Sequence, residues 1–315
     1  MCTINKATAQ AFVTALSGHV QVTDGGEIHW ILGMEIQRDR NNRTIKLRQK
    51  HYIENILKRY NFDQLHARRT PMLPGQNLSP RPGSEPQRDA AAIKYFMSLV
   101  GGLQYVADCT RPDIAYCTGQ LARYLNDPGE EHYAAAKQCY LYLKGTCDYW
   151  LNLGSPTITS TYGFADSDGM STYGNKPIMG YAFKFAESLI SWSSKRGTLV
   201  TLSVTEAELC ALAHASQEAI YLKGVIKEIL NAEQEPVLIN SDSASTLAII
   251  CAPEEQHTQR TKHFNICKNF LTDRIHQRYI RVKHVSTNDQ LADILTKALS
   301  ADKLKRFSRM LGISA

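Results

Sequence analysis

The stretch that decides the fold is Thr157-Ile-Thr-Ser-Thr-Tyr-Gly-Phe-Ala-Asp-Ser-Asp168, at the start of the second half of the chain. Ile158, Tyr162 and Phe164 fall on one parity, and this period of two predicts a β-strand. Asp166 closes the strand on the same parity. Acid is unexpected at the end of a core element, so Asp166 is a candidate functional residue.

The pattern after this strand predicts a mixed α/β domain. Three strands are followed by a long helix, a strand, a helix, a strand and a last helix, which is a layered α/β arrangement. After the first strand, the predicted ranges are strands at 180–185 and 189–193, a helix at 205–230, a strand at 237–240, a helix at 243–250, a strand at 279–284 and a helix at 290–299.

The first half of the chain divides at a segment rich in proline and glycine. Residues 71–86 hold five of the eleven prolines, which excludes a helix or an inner strand and predicts a linker or long loop. Strands at 30–38 and 44–47 and a helix at 49–60 are predicted before it. Helices are predicted after it at 90–109, 112–125 and 130–143. We therefore expect a unit at 1–70, a linker at 71–89, a helical region at 90–155 and the α/β domain at 156–315.

Composition and charge limit the function. The 315 residues suggest about two domains, and 43% hydrophobic with 21% charged residues excludes wholesale disorder. There is no run of 18 apolar residues and no apolar leader, so we expect neither membrane insertion nor secretion. None of the eight cysteines forms a C-x-x-C pair, which indicates reduced thiols in the cytoplasm or nucleus.

Two basic blocks indicate a polyanionic partner. Residues 38–69 contain ten Lys/Arg against three Asp/Glu, and residues 260–309 contain twelve against four. Two solvated faces would give the same counts, so charge alone does not decide between these interpretations.

Three further acids recur at the ends of predicted core elements, namely Glu208, Asp242 and Asp293. Magnesium prefers oxygen ligands, and a pair of metals that cleaves phosphodiesters needs several converging carboxylates. Each acid also has a structural interpretation. Asp242 could cap a helix, Glu208 and Asp293 could complement helix dipoles, and Asp166 could be a turn residue.

The order of these acids resembles the ribonuclease H fold, and the local motifs resemble the ribonuclease H domain of copia-type retrotransposon polyproteins. Six ordered stretches carry the resemblance: Gly163-Phe-Ala-Asp-Ser-Asp168, Ile190-Ser-Trp-Ser-Ser-Lys195, Leu202-Ser-Val-Thr-Glu-Ala-Glu208, Asn240-Ser-Asp-Ser-Ala-Ser245, Arg260-Thr-Lys-His263 and Asp289-Gln-Leu-Ala-Asp-Ile-Leu-Thr-Lys297. This resemblance implies an endonuclease that cleaves the RNA strand of RNA/DNA hybrids.

The first half resembles the end of the reverse transcriptase of the same family. The matching stretches are Asp24-Gly-Gly-Glu-Ile-His-Trp-Ile-Leu-Gly-Met-Glu-Ile36, Ser98-Leu-Val-Gly-Gly-Leu-Gln-Tyr105, Thr110-Arg-Pro-Asp-Ile-Ala115 and Tyr142-Leu-Lys-Gly-Thr146. They imply a primer-grip hairpin with thumb and a helical connection. The chain contains no Asp-Asp pair of the polymerase motif, so we expect no DNA synthesis by this chain alone. Gly169 also departs from the family, which usually has Trp there.

By resemblance, Asp166, Glu208, Asp242 and Asp293 would bind two Mg²⁺ ions, which Mn²⁺ could replace. Glu206 remains an alternative to Glu208, because residues two apart point about 200° apart on a helix. Asp168 remains an alternative to Asp166. Asp293 is expected to be the outer carboxylate, nearest solvent.

The expected partners are an RNA/DNA hybrid and either a polypeptide that supplies the polymerase palm and fingers or a second copy of the chain. No membrane and no small-molecule cofactor are expected.

Sequence-neutral hybrid binding uses phosphate contacts. The candidates for these contacts are Lys195, Arg196, Arg260, Lys262 and His284. His284 could instead assist product departure or be structural. His263 is expected to pack or to make a backbone contact. The alternative function is a non-catalytic nucleic-acid-binding or assembly remnant of a retrotransposon polyprotein. The expected location is the cytoplasm, in a virus-like particle, or the nucleus.

Overall fold

The computed structural model describes residues 6–23, 25–84, 88–154, 160–169, 176–251 and 262–315. The α-helices are α1 (Lys6–Ser17), α2 (Lys50–Arg59), α3 (Ala90–Cys109), α4 (Ala115–Ala122), α5 (Glu130–Gly145), α6 (Val204–Leu230), α7 (Ala244–Cys251), α8 (Lys262–His276) and α9 (Ala301–Met310). The strands are β1 (Trp30–Ile31), β2 (Met34–Asp39), β3 (Thr44–Arg48), β4 (Trp150–Leu153), β5 (Thr161–Ser167), β6 (Ile178–Phe185), β7 (Ser188–Arg196), β8 (Val237–Ser241), β9 (Ile280–His284) and β10 (Ile313–Ser314). Short 3-10 helices span Pro112–Ile114, Thr287–Asp289 and Leu291–Leu295.

The second half of the chain forms a mixed five-stranded sheet in the order β7-β6-β5-β8-β9. The first three strands in sequence pair antiparallel, whereas β8 and β9 run parallel to β5. The long helix α6 packs on β5, β6 and β8. The predicted fold class, a mixed α/β sheet with helices after a smaller α+β and helical region, is confirmed.

A second sheet joins distant parts of the chain. Its order is β1-β2-β3-β4-β10, so the hairpin of the first 50 residues pairs with β4, and β4 pairs with the last strand, β10. Ile313 lies opposite Leu151, and both side chains are buried. The C-terminus of the α/β domain is therefore part of a sheet that begins in the N-terminal region.

The larger hydrophobic core also crosses the boundary predicted at 155/156. It combines side chains of the helical region, such as Phe96 and Tyr140, with Ile178, Leu295 and Phe307 from the second half. The proline-rich segment contributes Met72 and Leu78, which are almost completely buried. It forms neither helix nor strand in its described part, as predicted, but it is packed into this core.

Most predicted elements agree with the structure, and two do not. The strand expected at 30–38 is divided into β1 and β2 because Leu32 and Gly33 have positive φ and turn the chain. The helix expected at 290–299 is wrong, since only a 3-10 helix at Leu291–Leu295 forms there and α9 begins at Ala301. No helix in the described part of the chain is long and apolar enough to cross a membrane.

Candidate metal centre

Two of the predicted acids lie side by side at one edge of the mixed sheet. Asp166 is the penultimate residue of β5, and Asp242 directly follows β8. These strands are parallel neighbours, with Phe164 opposite Asn240, so the same register places residue 166 beside residue 242. The carboxyl ends of adjacent parallel strands therefore bring both side chains to the same place. Asp242 does not cap α7, because Ser243 Oγ accepts the hydrogen bond from the Thr246 N–H at 3.3 Å.

The first turns of α6 bring Glu208 to these aspartates. Ser203 caps this helix by accepting a hydrogen bond from the Glu206 N–H at 3.1 Å. Ligand oxygens of Asp166, Glu208 and Asp242 all lie within 4.8 Å of one another. Glu206 points away from this group, and its carboxylate accepts a hydrogen bond from the Leu202 N–H at 2.8 Å. The geometry thus brings Glu208, and not Glu206, to the two aspartates.

The three carboxylates are crowded and poorly solvated. Asp166 is 1% exposed and Glu208 is 7% exposed, while Asp242 is partly exposed. The pKa of Asp166 is raised to about 7, mainly because the carboxyl group is buried. The positive charge of Lys297 lowers this pKa, whereas the negative charges of Asp293 and Asp242 raise it further. Burial, with Asp166 and Asp242, raises the pKa of Glu208 to about 9. Without a bound cation, the site therefore resists full ionisation.

The donor set fits a hard divalent cation. Asp166 Oδ1 and Glu208 Oε2 are buried and accept no hydrogen bond from any group in the described ranges. Unpaired buried carboxylate oxygens are costly, and a cation would satisfy them. All donors are carboxylate oxygens, which magnesium and manganese accept as ligands.

Asp293 is less exposed to solvent than the sequence predicted. We expected it to be the outer carboxylate, but it is 1% exposed, and Asp242 is the residue nearest solvent. The 3-10 helix at Leu291–Leu295 packs against β5 and β6, which buries Asp293 beneath two lysines. Lys297 Nζ lies 2.8 Å from Asp293 Oδ1, and Lys303 Nζ lies 2.6 Å from Oδ2.

Lys297 is a site residue that the sequence analysis did not single out. Its Nζ lies 3.2 Å from Asp166 Oδ2, so the ammonium bridges Asp166 and Asp293. Burial opposes its charge, but the two aspartates outweigh burial and raise its pKa. The signal that could have found it was its i,i+4 spacing from Asp293, within a stretch already noted for its resemblance.

Gly180 lets this segment approach Asp166. It pairs with Asp166 across β5 and β6, and a Cβ at position 180 would lie 2.7 Å from Thr296 Cγ2 and 3.0 Å from Leu295 Cβ. The Thr296 hydroxyl donates a hydrogen bond to Asp166 Oδ2. A glycine in the middle of a strand is thus explained by the close docking of the neighbouring segment.

Asp168 and Gly169 shape the end of β5. Asp168 Oδ1 accepts a hydrogen bond from the Ile178 N–H at 2.7 Å, which ties the start of β6 to the end of β5. It is not among the three converging acids in the described ranges. Gly169 has φ of +72°, a left-handed conformation that glycine adopts without strain.

The candidate phosphate contacts are distributed around this sheet. Lys195 and Arg196 end β7, where Lys195 is exposed and Arg196 is partly buried. His284 ends β9, is exposed and pairs with Ser241, the residue before Asp242. His263, near the start of α8, is exposed, so of its two expected roles the structure contradicts packing and leaves a backbone contact as a prediction. Arg260 and the side chain of Lys262 lie outside the described residues.

Three curated relatives match nearly the whole chain. The retrovirus-related Pol polyprotein from transposon TNT 1-94 of Nicotiana tabacum is 35% identical over 301 residues, covering 95% of this chain and 22% of the polyprotein. Those from transposons RE1 and RE2 of Arabidopsis thaliana are 33% and 32% identical, each over 95% of this chain and 20% of the polyprotein. The chain is homologous to the Pol polyproteins of copia-type transposons. The predicted resemblance to these copia-type proteins is confirmed.

The chain spans only about a fifth of the length of these relatives. No protein-family model matches it. Among solved structures, LC11-RNase H1 in complex with RNA/DNA hybrid has a TM-score of 0.33 at 12% identity, covering 44% of this chain and 94% of that one. The foamy viral protease-reverse transcriptase in complex with RNA/DNA hybrid has a TM-score of 0.41 at 12% identity, covering 83% and 29%. The relationship rests on the sequence relatives, and these structural similarities add nothing to it.

Proposed function

We propose that this copia-type chain is a metal-dependent endonuclease that hydrolyses the RNA strand of RNA/DNA hybrids during reverse transcription. The observation that carries the proposal is the convergence of Asp166, Glu208 and Asp242 within 4.8 Å at the edge of the mixed sheet. Carboxylates gather in this way around divalent cations in phosphodiester hydrolysis, whereas without a cation they repel one another.

The carboxylates would hold Mg²⁺, or Mn²⁺ in its place. When bound, such ions lower the pKa of an attacking water and stabilise the leaving oxygen. Asp166 is central because it lies between Glu208 and Asp242 on one side and Lys297 with Asp293 on the other. The hydrolysis we propose needs no covalent intermediate.

Hybrid binding in this proposal relies on the backbone of the duplex. Lys195 and Arg196 at the end of β7 and His284 at the end of β9 belong to the sheet that carries the acids. Arg260 and Lys262 complete the proposed set, and a polymerase palm or a second copy of the chain is the proposed protein partner. Contacts to phosphates and 2′-hydroxyls would leave cleavage independent of base sequence.

Cleavage of an end-labelled RNA strand tests the proposal. The RNA would be offered in a hybrid and in an RNA duplex, with Mg²⁺ or with EDTA. We expect cleavage of the hybrid alone, only with Mg²⁺, and a loss of at least about 100-fold in Asp242→Asn, the order found when a group that stabilises transition-state charge is removed. Asp302→Asn is the matched control because Asp302 is almost fully exposed on α9.

Two results would decide against the nuclease. If wild type and Asp242→Asn both fail to cut while hybrid is still bound, the chain is a non-catalytic binding remnant. If both cut equally well, the activity comes from another site or from a contaminant. Equal cleavage of RNA duplex would remove the hybrid specificity from the proposal.

A further inference from the structure

Two cation positions share the Asp166 carboxylate. One is defined by Asp166, Glu208 and Asp242, whose ligand oxygens lie within 4.8 Å of one another. The other lies between Asp166 and Asp293 and is held by the ammonium of Lys297, at 3.2 Å and 2.8 Å from the two carboxylates. A phosphodiester-cleaving pair of metals lies about 3.5–4 Å apart and needs carboxylates that serve both ions.

The two sides of Asp166 differ in how their oxygens are used. Asp166 Oδ1 and Glu208 Oε2 are buried without a hydrogen-bond partner in the described part of the chain. Asp293 instead has Lys297 on Oδ1 and Lys303 on Oδ2, and the Asp166 Oδ2 atom accepts from Thr296 as well as Lys297. The side of Asp166 that faces Glu208 therefore lacks a positive charge, whereas the side that faces Asp293 already holds lysine ammonium groups.

We propose that Lys297 is a tethered competitor of the second divalent ion, an inference that rests on the proposed function. The first ion binds at Asp166, Glu208 and Asp242 without displacing any side chain. The second ion binds between Asp166 and Asp293 only after the Lys297 ammonium leaves. Because the lysine is attached to the chain, its effective concentration is high and the affinity of the second ion is reduced.

The same contact gives Lys297 a role in the metal-free protein. It neutralises Asp166 and Asp293, two carboxylates that are each 1% exposed, and unpaired buried charges are strongly destabilising. The Lys297 side chain itself is 40% exposed, so the ammonium has room to move to solvent when a divalent ion replaces it. Lys303 offers no such competition, because among the described residues it pairs with Asp293 and not with Asp166.

Binding of Mn²⁺ to the full chain tests this inference without measuring cleavage. Calorimetry and the electron paramagnetic resonance signal of free Mn²⁺ would give the number of ions and their Kd values. We expect one tight and one weak ion in wild type. In Lys297→Met the second ion should bind at least about tenfold more tightly, which corresponds to about 1.4 kcal/mol.

Three further variants test whether the effect on the second ion depends on the positive charge at position 297. Lys303→Met removes one positive charge beside Asp293 but leaves the bridging ammonium, so the second Kd should change much less. Lys297→Arg keeps the charge and should retain the weak second ion. If Lys297→Met does not fold, Lys297→Gln keeps a hydrogen-bonding group without the charge and should give the same tightening.

The outcomes separate this inference from the proposed function. Two ions of unchanged affinity in Lys297→Met, or equal tightening in Lys303→Met, would overturn the competitor role and leave the nuclease intact. If neither wild type nor Lys297→Met binds Mn²⁺, the metal centre itself is wrong and both proposals fall.

Discussion

Glu208 and Glu206 show how strongly position on a helix determines the role of a carboxylate. They are two residues apart on α6. The Glu208 carboxylate nevertheless lies beside those of Asp166 and Asp242, whereas the Glu206 carboxylate accepts a hydrogen bond from the Leu202 N–H. The first arrangement is repulsive without a cation, and the second stabilises the start of the helix. Chemically identical side chains therefore have opposite effects on the metal-free fold.

We predict that Glu208→Gln stabilises the metal-free protein. In the folded wild-type chain the pKa of the Glu208 carboxyl group is about 9, above the ordinary 4.5, so the fold favours the neutral form of this group. Wild-type stability in EDTA should fall as pH rises from about 4.5 towards 9, because the folded state binds the proton more tightly than the unfolded chain does. At pH 7 the neutral amide should add on the order of 1 kcal/mol to the free energy of unfolding.

Thermal unfolding in EDTA between pH 5 and pH 8 would measure this effect. Glu206→Gln is the matched control, and it should lower the Tm because it weakens the charge-assisted hydrogen bond to the Leu202 N–H. A lower Tm for Glu208→Gln than for wild type would mean that this carboxylate is stabilised in the metal-free fold, contrary to our account.

At the scale of elements, the docking of the segment after β9 onto β6 completes the site. The segment brings Asp293, Thr296 and Lys297 to Asp166, and it does so across Gly180. The sequence predicted a regular helix over residues 290–299. Packing against β5 and β6 replaced it with a single 3-10 helix, because tertiary contacts override a weak local preference.

We predict that Gly180→Ala loosens this docking. The added Cβ would lie 2.7 Å from Thr296 Cγ2, so the segment or the strand must shift, at a cost of about 1–3 kcal/mol in the free energy of unfolding. Urea unfolding followed by circular dichroism would measure the loss.

Gly101→Ala is the control for this substitution. Gly101 lies within α3, and a Cβ there would meet no heavy atom of the described residues within 4 Å beyond the adjoining backbone of its own helix. Alanine at this position should therefore be neutral or stabilising by up to about 1 kcal/mol. Equal effects of the two substitutions would show that the contact at Gly180 does not limit the fold.

At the scale of the whole molecule, the N-terminal region and the α/β domain share one core and one sheet. Trp192 Nε1 on β7 donates a hydrogen bond to the Ala107 carbonyl at 3.0 Å. Strand β10 is the edge strand of the sheet that contains β3 and β4. These contacts join segments that the sequence analysis assigned to separate units. We therefore expect the chain to unfold as one cooperative unit.

Ile313→Ala tests this cooperativity. Ile313 is completely buried in β10, and its truncation should cost about 2–5 kcal/mol. Tryptophan fluorescence and far-ultraviolet circular dichroism should shift together to lower denaturant concentration. Ile190→Ala, at a position 38% exposed on β7, should cost less than about 1 kcal/mol. Separate transitions for the two signals would show that the regions fold independently.

The sequence by itself determined the order of most helices and strands, the fold class and the relationship to copia-type Pol polyproteins. These follow from local periodicity, proline and glycine positions and short motifs, which act over a few residues. It also named Asp166, Glu208 and Asp242, but it left Glu206 and Asp168 open, because spacing along the chain does not measure distance through space.

Only the tertiary structure decided which groups meet. The parallel pairing of β5 with β8 places Asp242 beside Asp166, and the turn of α6 selects Glu208. The contact of Lys297 with Asp166 and the pairing of β10 with β4 join parts of the chain that are distant in sequence. Such contacts arise from the packing of the whole core, and no local pattern encodes them.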